Sequence, residues 1–120
     1  MNIVTNFLSY RNQLQILHWQ TQSYAEHMAL GALYETFDDL IDSFVEAFMG
    51  KYGRIVSENL FTIVLFNYND LAPLKFLAQV EKYLTEDVPV MLNQKDTDLL
   101  NIRDEMLAAV KKTQYLLTLK

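Results

Sequence analysis

Apolar residues recur along this chain at the three- and four-residue steps of helices that bury one face. Ile3, Phe7, Tyr10, Leu14 and Leu17 predict a helix over residues 2–20, with Val4, Leu8 and Trp19 as a second apolar flank on the other side of Arg11. Leu30, Tyr34, Phe37, Ile41, Phe44 and Phe48 predict the longest helix, 24–50. Gly50 and Gly53 close it, since glycine relieves left-handed backbone at a helix C-terminus. Leu74, Leu77, Val80, Tyr83 and Leu84 predict a third helix, capped by Asn69 and Asp70, with Pro73 in its first turn and a kink or break at Pro89. Leu99, Ile102, Met106, Val110, Thr113 and Leu117 predict a fourth, from the caps Asp96 and Thr97 to about Leu119. Residues 54–69 link the second and third helices and are unlike an exposed loop, with Ile55, Val56, Leu60, Phe61, Ile63, Val64, Leu65 and Phe66. The expectation there is a mixture of extended segment and short helix joining parallel helices, with a short strand over residues 61–66 as the alternative. The pattern predicts an all-α fold, one domain over 1–120, built as a four-helix bundle with a long crossover between helices two and three.

Composition narrows the chemistry. With 120 residues, 51% of them hydrophobic, the chain holds one core and no low-complexity stretch. It has no cysteine, which excludes disulfides, thiolate nucleophiles and Cys-ligated zinc or iron–sulfur centres. A net charge of −5 weighs against nucleic acid as a partner, because phosphate backbones are held by clustered Lys and Arg. No apolar run reaches the ~18 residues of a membrane span, and no charged segment followed by an apolar core opens the chain, so a cytoplasmic protein is expected. Neither a Gly-rich phosphate loop nor a helically plausible Ser-His-Asp set is present. The second, third and fourth helices contain no Glu-x-x-His, which excludes a di-iron centre inside one bundle.

The candidate chemistry lies between His18 and Glu46, a stretch that holds both histidines, the single tryptophan and the densest run of carboxylates. His18 and Trp19 close the first predicted helix and His27 opens the second, so a hairpin brings the imidazoles together. Glu35, Asp38, Asp42 and Glu46 follow at steps of three, four and four, one slanting acidic row. Asp42 and Glu46 can bind one cation between them, because carboxylates at i and i+4 have neighbouring Cβ atoms. Asp42 lies fifteen residues beyond His27. At about 1.5 Å per residue that is roughly 22 Å, against the ~2 Å of a metal–ligand bond. One chain cannot place both groups on one metal. If they share a site, a second copy lies antiparallel, and a two-fold axis creates two identical mixed sites.

His-Trp, a short connection, a second His opening a long helix and Asp-x-x-x-Glu fifteen residues on resemble the iron-oxidation motif of the ferritin-like Dps family. The resemblance covers the first 46 residues and implies a ferritin-like four-helix bundle. It also implies a two-fold dimer that extends to a larger shell, with iron bound by His18 and His27 of one chain and Asp42 and Glu46 of its mate. Trp19 matches the aromatic beside the site, and the implied chemistry is oxidation of Fe²⁺ by peroxide or oxygen. Zinc or manganese suits the same ligands. Two positions depart from the family. Gly31 stands where an Asp usually follows the second His by one turn, which removes a ligand from the second metal position. The connection is also shorter, eight residues from Trp19 to Glu26. The alternative expectation is a metal-free oligomeric helical protein that binds a protein or small ligand.

Overall fold

A computed structural model describes residues 2–119, and every regular element among them is helical. Helix α1 (Ile3–Gln20) starts where the Asn2 side chain accepts the Thr5 N–H at 2.9 Å. Helix α2 (Tyr24–Tyr52) starts on the Ser23 hydroxyl and ends at Gly53, whose φ of 91° is left-handed backbone. Helix α3 (Pro73–Lys82) continues through a π-helical turn (Tyr83–Asp87) into α4 (Val88–Met91), and α5 (Thr97–Leu116) ends the fold.

Side-chain contacts set the directions. Tyr10 packs on Phe76 and Phe7 on Tyr83, so α1 and α3 are antiparallel. Lys51 reaches Asp96 and Asp98, which places the end of α2 against the start of α5. Gln114 bonds Glu81 and Arg103 bonds the Leu84 carbonyl, so α5 runs antiparallel to the third helical stretch. It follows that α2 and α3 are parallel, and residues 53–72 cross the molecule to join them. The long dimension is 43 Å, about the length of a 29-residue helix at ~1.5 Å per residue.

Four helical stretches surround one core. Phe7, Leu14, Leu17, Leu30, Phe44, Leu77, Leu84, Leu99 and Met106 are fully buried there, each stabilising by roughly 1.5–3 kcal/mol. Phe7 meets Phe44 edge-on at 5.2 Å. The expected seams hold except at Leu74, which is exposed. Pro73 and Phe76 take the inward positions instead, because Leu74 lies past the edge of the stripe they begin.

The expected caps also differ. A residue before proline is held extended, so Ala72 (φ −64°, ψ 151°) becomes the N-cap of α3. Asn69 and Asp70 lie in the preceding turn, where the Asp70 and Leu71 N–H groups donate to the Asn67 carbonyl. Asp96 does occupy the N-cap of α5, but its carboxylate accepts from Lys51, Tyr52 and the Asn93 N–H rather than from the helix. The break expected at Pro89 is absorbed by the π-helical turn. There Val88 N–H reaches back five residues to the Tyr83 carbonyl. The same register would pair the Leu84 carbonyl with residue 89, which as proline has no N–H. Arg103 Nη1 fills that place at 3.0 Å.

The crossover contains no short helix. It runs without turn or bend from Leu60 to Asn67, and the crossover leaves Val56, Leu60 and Val64 more than 60% exposed. Its hold on α1 is polar. The buried Gln13 amide donates to the Phe66 carbonyl and accepts the Phe66 N–H, both at 2.8 Å. One heptad on, Gln20 accepts the Tyr68 N–H and donates to the Asn67 side chain. Among the described residues no helix is long and apolar enough to cross a membrane.

Candidate functional site

Three residues, Thr21–Ser23, separate α1 from α2. The turn is pinned by Glu26, whose carboxylate accepts from the Thr21 hydroxyl at 2.6 Å and from the Tyr68 hydroxyl at 2.7 Å. Donating that bond to the Glu26 carboxylate raises the Tyr68 phenol above its ordinary pKa. The turn holds the last turn of α1 against the first turn of α2, which brings His18 and His27 together as the sequence predicts.

The two imidazoles stack with centroids 3.8 Å apart and planes 16° from parallel. Each bonds the other's backbone. His18 Nδ1 lies 2.7 Å from the His27 carbonyl, and His27 Nδ1 lies 2.9 Å from the His18 carbonyl. A carbonyl only accepts, so both Nδ1 atoms carry the proton and, in the neutral rings, both Nε2 atoms carry the lone pair. Among the described residues neither Nε2 has a hydrogen-bond partner, and no buried side-chain nitrogen or oxygen is left unpaired, so both Nε2 atoms reach solvent.

Gly31 is part of this arrangement. A Cβ at that position would lie 2.7 Å from His18 Cε1 and 2.9 Å from His18 Nδ1. The helical glycine therefore makes room for an imidazole laid against the backbone of α2. A carboxylate at this position would displace the ring.

The acidic row lies elsewhere. Asp38 is engaged by Arg11 at 3.1 Å, and Glu35 is exposed. Asp42 lines a groove of about 280 Å³ between α1 and α2 with Val4, Leu8, Arg11 and Val45. The Glu46 carboxyl is raised above its ordinary pKa, first by a hydrogen bond with Asp42 and then by that carboxylate's charge. Asp42 and Glu46 lie one helical turn apart on α2, and both are exposed. Trp19, expected beside the site, is 64% exposed. The structure brings together His18, His27 and Gly31, and separately Asp42 and Glu46. Among the described residues no three His, Asp or Glu side chains of one chain gather.

Sequence reasoning missed two polar assemblies. Beside the hairpin, Gln20, Glu26, Asn67, Tyr68 and Asp70 line an open cleft of about 930 Å³. At the opposite end the buried Asp96 collects Lys51, Tyr52 and Asn93, and is held at a pKa of about 2 chiefly by Lys51 and then by Tyr52. Gln13 and Gln20, seven apart and beside the buried Leu14 and Leu17, were the available signal for the first. The second joins residues 45 apart and has no local signature.

DUF5856, a family of unknown function, has a family model that matches residues 18–117, from the first imidazole to the end of the last helix. No curated protein and no solved structure matches the chain.

Proposed function

We propose that this chain, which belongs to the DUF5856 family, is a ferritin-like protein that binds iron between two copies of itself. The observation that carries the reading is the reciprocal pair of Nδ1–H bonds, which fixes both imidazoles and leaves both Nε2 lone pairs open to solvent. Metal-binding histidines are commonly oriented in this way, with the second ring nitrogen bonded to a carbonyl. Asp42 and Glu46, exposed and one helical turn apart, supply the anionic half. A cation between them relieves the repulsion that raises Glu46 above its ordinary pKa.

The stack also limits the stoichiometry. A metal lies in the plane of the ring that binds it, and two stacked rings with centroids 3.8 Å apart and planes 16° from parallel share no in-plane point within ~2 Å of both nitrogens. One ion therefore takes one imidazole, together with Asp42 and Glu46 of an antiparallel mate. Imidazole plus carboxylate suits Fe²⁺, and also zinc or manganese. With iron as substrate, two Fe²⁺ give one electron each to hydrogen peroxide, which with two protons leaves as two waters.

A second reading follows from Gly31. The His18 ring fills the space above it, so the pair also serves as packing, as in a metal-free oligomeric helical protein that binds a protein or small ligand. Anaerobic titration of Fe²⁺ by calorimetry, on wild type and on Asp42→Ala, decides between them. Saturable binding lost in the variant, with peroxide then oxidising iron faster than in buffer, supports the shared site. A folded protein that takes up no Fe²⁺ leaves the second reading.

A further inference from the structure

The chain is acidic overall, but its charges are sorted by side of the bundle. Residues 3–46, which hold α1 and most of α2, carry six carboxylates against one base, Arg11. Residues 73–82 of α3 and 111–119 at the end of α5 carry Lys75, Lys82, Lys111 and Lys112 against one carboxylate, Glu81. Because α1 packs on α2 and α3 packs on α5, the acidic pair and the basic pair take opposite sides. Gln114 donates to Glu81 at 3.0 Å, which lays the last turns of α5 beside α3 and gathers the lysines of both into one patch.

The patch faces solvent. Lys75 and Lys82 lie two turns apart on α3, on the side away from the buried Phe76, Leu77 and Val80. Lys111 and Lys112 flank Tyr115 on α5, opposite the buried Met106, Val110 and Thr113. All four lysines are exposed, and among the described residues none of them makes an ion pair. Among them stand apolar side chains that the core does not take, since Leu74, Tyr115 and Leu119 are each at least half exposed.

We propose that this face docks on the surface of a lipid bilayer that contains anionic headgroups. Lysines close to an anionic leaflet are attracted to it, and their long stems let the ammonium groups stay among the headgroups while neighbouring Leu and Tyr side chains enter the acyl boundary. The apolar residues select a bilayer over a nucleic acid or an acidic protein surface, either of which would use the lysines and leave Leu74 and Leu119 without an apolar partner. The acidic row of α2, from Glu35 to Glu46, is repelled by the same headgroups, so the molecule approaches with α3 and α5 leading. Lying on a membrane asks for no spanning helix. The docking uses neither histidine and neither Asp42 nor Glu46, so it stands or falls apart from the metal reading.

Co-sedimentation with vesicles of one part phosphatidylserine to three parts phosphatidylcholine tests the docking, with pure phosphatidylcholine vesicles as reference. The protein pellets with the first and stays in solution with the second, and its affinity falls at least about tenfold as NaCl rises from about 0.05 to about 0.5 M. Lys82→Glu with Lys111→Glu lowers affinity at least about tenfold. Arg54→Glu with Lys95→Glu changes the net charge equally at exposed positions outside the patch and leaves affinity within about twofold. The chain has no cysteine, so Tyr115→Cys and Glu35→Cys each offer one thiol to an environment-sensitive fluorophore. Its emission shifts to the blue on vesicles at position 115 and not at position 35. Equal pelleting with both vesicle types, equal losses in the two charge-reversed pairs, or equal shifts at the two labels overturn the proposal. So does a protein with intact circular dichroism that binds immobilised heparin and pellets with neither vesicle, which assigns the face to another polyanion.

Discussion

Replacing Gly31 by alanine tests the geometry of the imidazole stack without touching either histidine. A helical glycine is normally a weak point, and alanine there adds about 1 kcal/mol of stability. Here the new methyl lies 2.7 Å from His18 Cε1, so the ring leaves its seat. The bond from His18 Nδ1 to the His27 carbonyl is then lost, at about 0.5–1.5 kcal/mol, and so is the stack on the His27 ring, at about 0.5–1.5 kcal/mol. The loss of about 1–3 kcal/mol offsets or exceeds the gain, and Gly31→Ala comes out roughly 0–2 kcal/mol less stable than wild type. In a His18→Ala background no ring is displaced, and the same change stabilises by about 1 kcal/mol. A double-mutant cycle by urea unfolding at fixed protein concentration therefore gives a coupling of about 1–3 kcal/mol between positions 18 and 31. Stabilisation of about 1 kcal/mol in both backgrounds would refute the seat.

Two further outcomes follow from the polar assemblies. Because the Asp96 carboxyl is lowered in the fold from 3.8 to about 2, its contribution to stability is complete above about pH 4 and is lost as pH falls toward 2. Lys51→Met removes the largest cause of that shift and moves acid unfolding, followed by circular dichroism, to higher pH; an unmoved transition contradicts the assignment. Gln13→Leu removes both bonds to Phe66, costs about 1–3 kcal/mol in urea unfolding and speeds exchange of the Phe66 amide. Unchanged exchange at Phe66 would show that something else holds the crossover.

Much of the helical architecture was legible because burial of one helix face leaves a periodic trace. Phe7, Leu14 and Leu17, or Leu99, Met106 and Val110, reveal their helices without reference to anything distant. The crossover was not legible in this way. Its apolar, β-branched composition suits extended chain as well as a buried helix, and its conformation is set by two glutamines about fifty residues earlier. Leu74 was misplaced for a local reason, since the proline that starts α3 also fixes where its buried stripe begins. At the candidate site, the meeting of His18 and His27 could be read from the short connection. Their tautomers could not, because each depends on a backbone carbonyl whose direction only the folded hairpin sets. Gly31 was visible as an anomaly, a glycine in mid-helix. Its cause is a side chain thirteen residues earlier, and no periodicity connects the two.

The glutamine clamps have a consequence for how this protein can change over time. Gln13 grips the N–H and C=O of Phe66, and Gln20 accepts the N–H of Tyr68. Every residue except proline offers those same atoms, so these three bonds ask nothing of the side chains at positions 66 and 68. Attachment and outward identity are thereby decoupled. Substitutions along the exposed run can rewrite what the molecule presents to its surroundings while the helices beneath stay as they are, which makes the crossover the part of the chain freest to acquire new specificity.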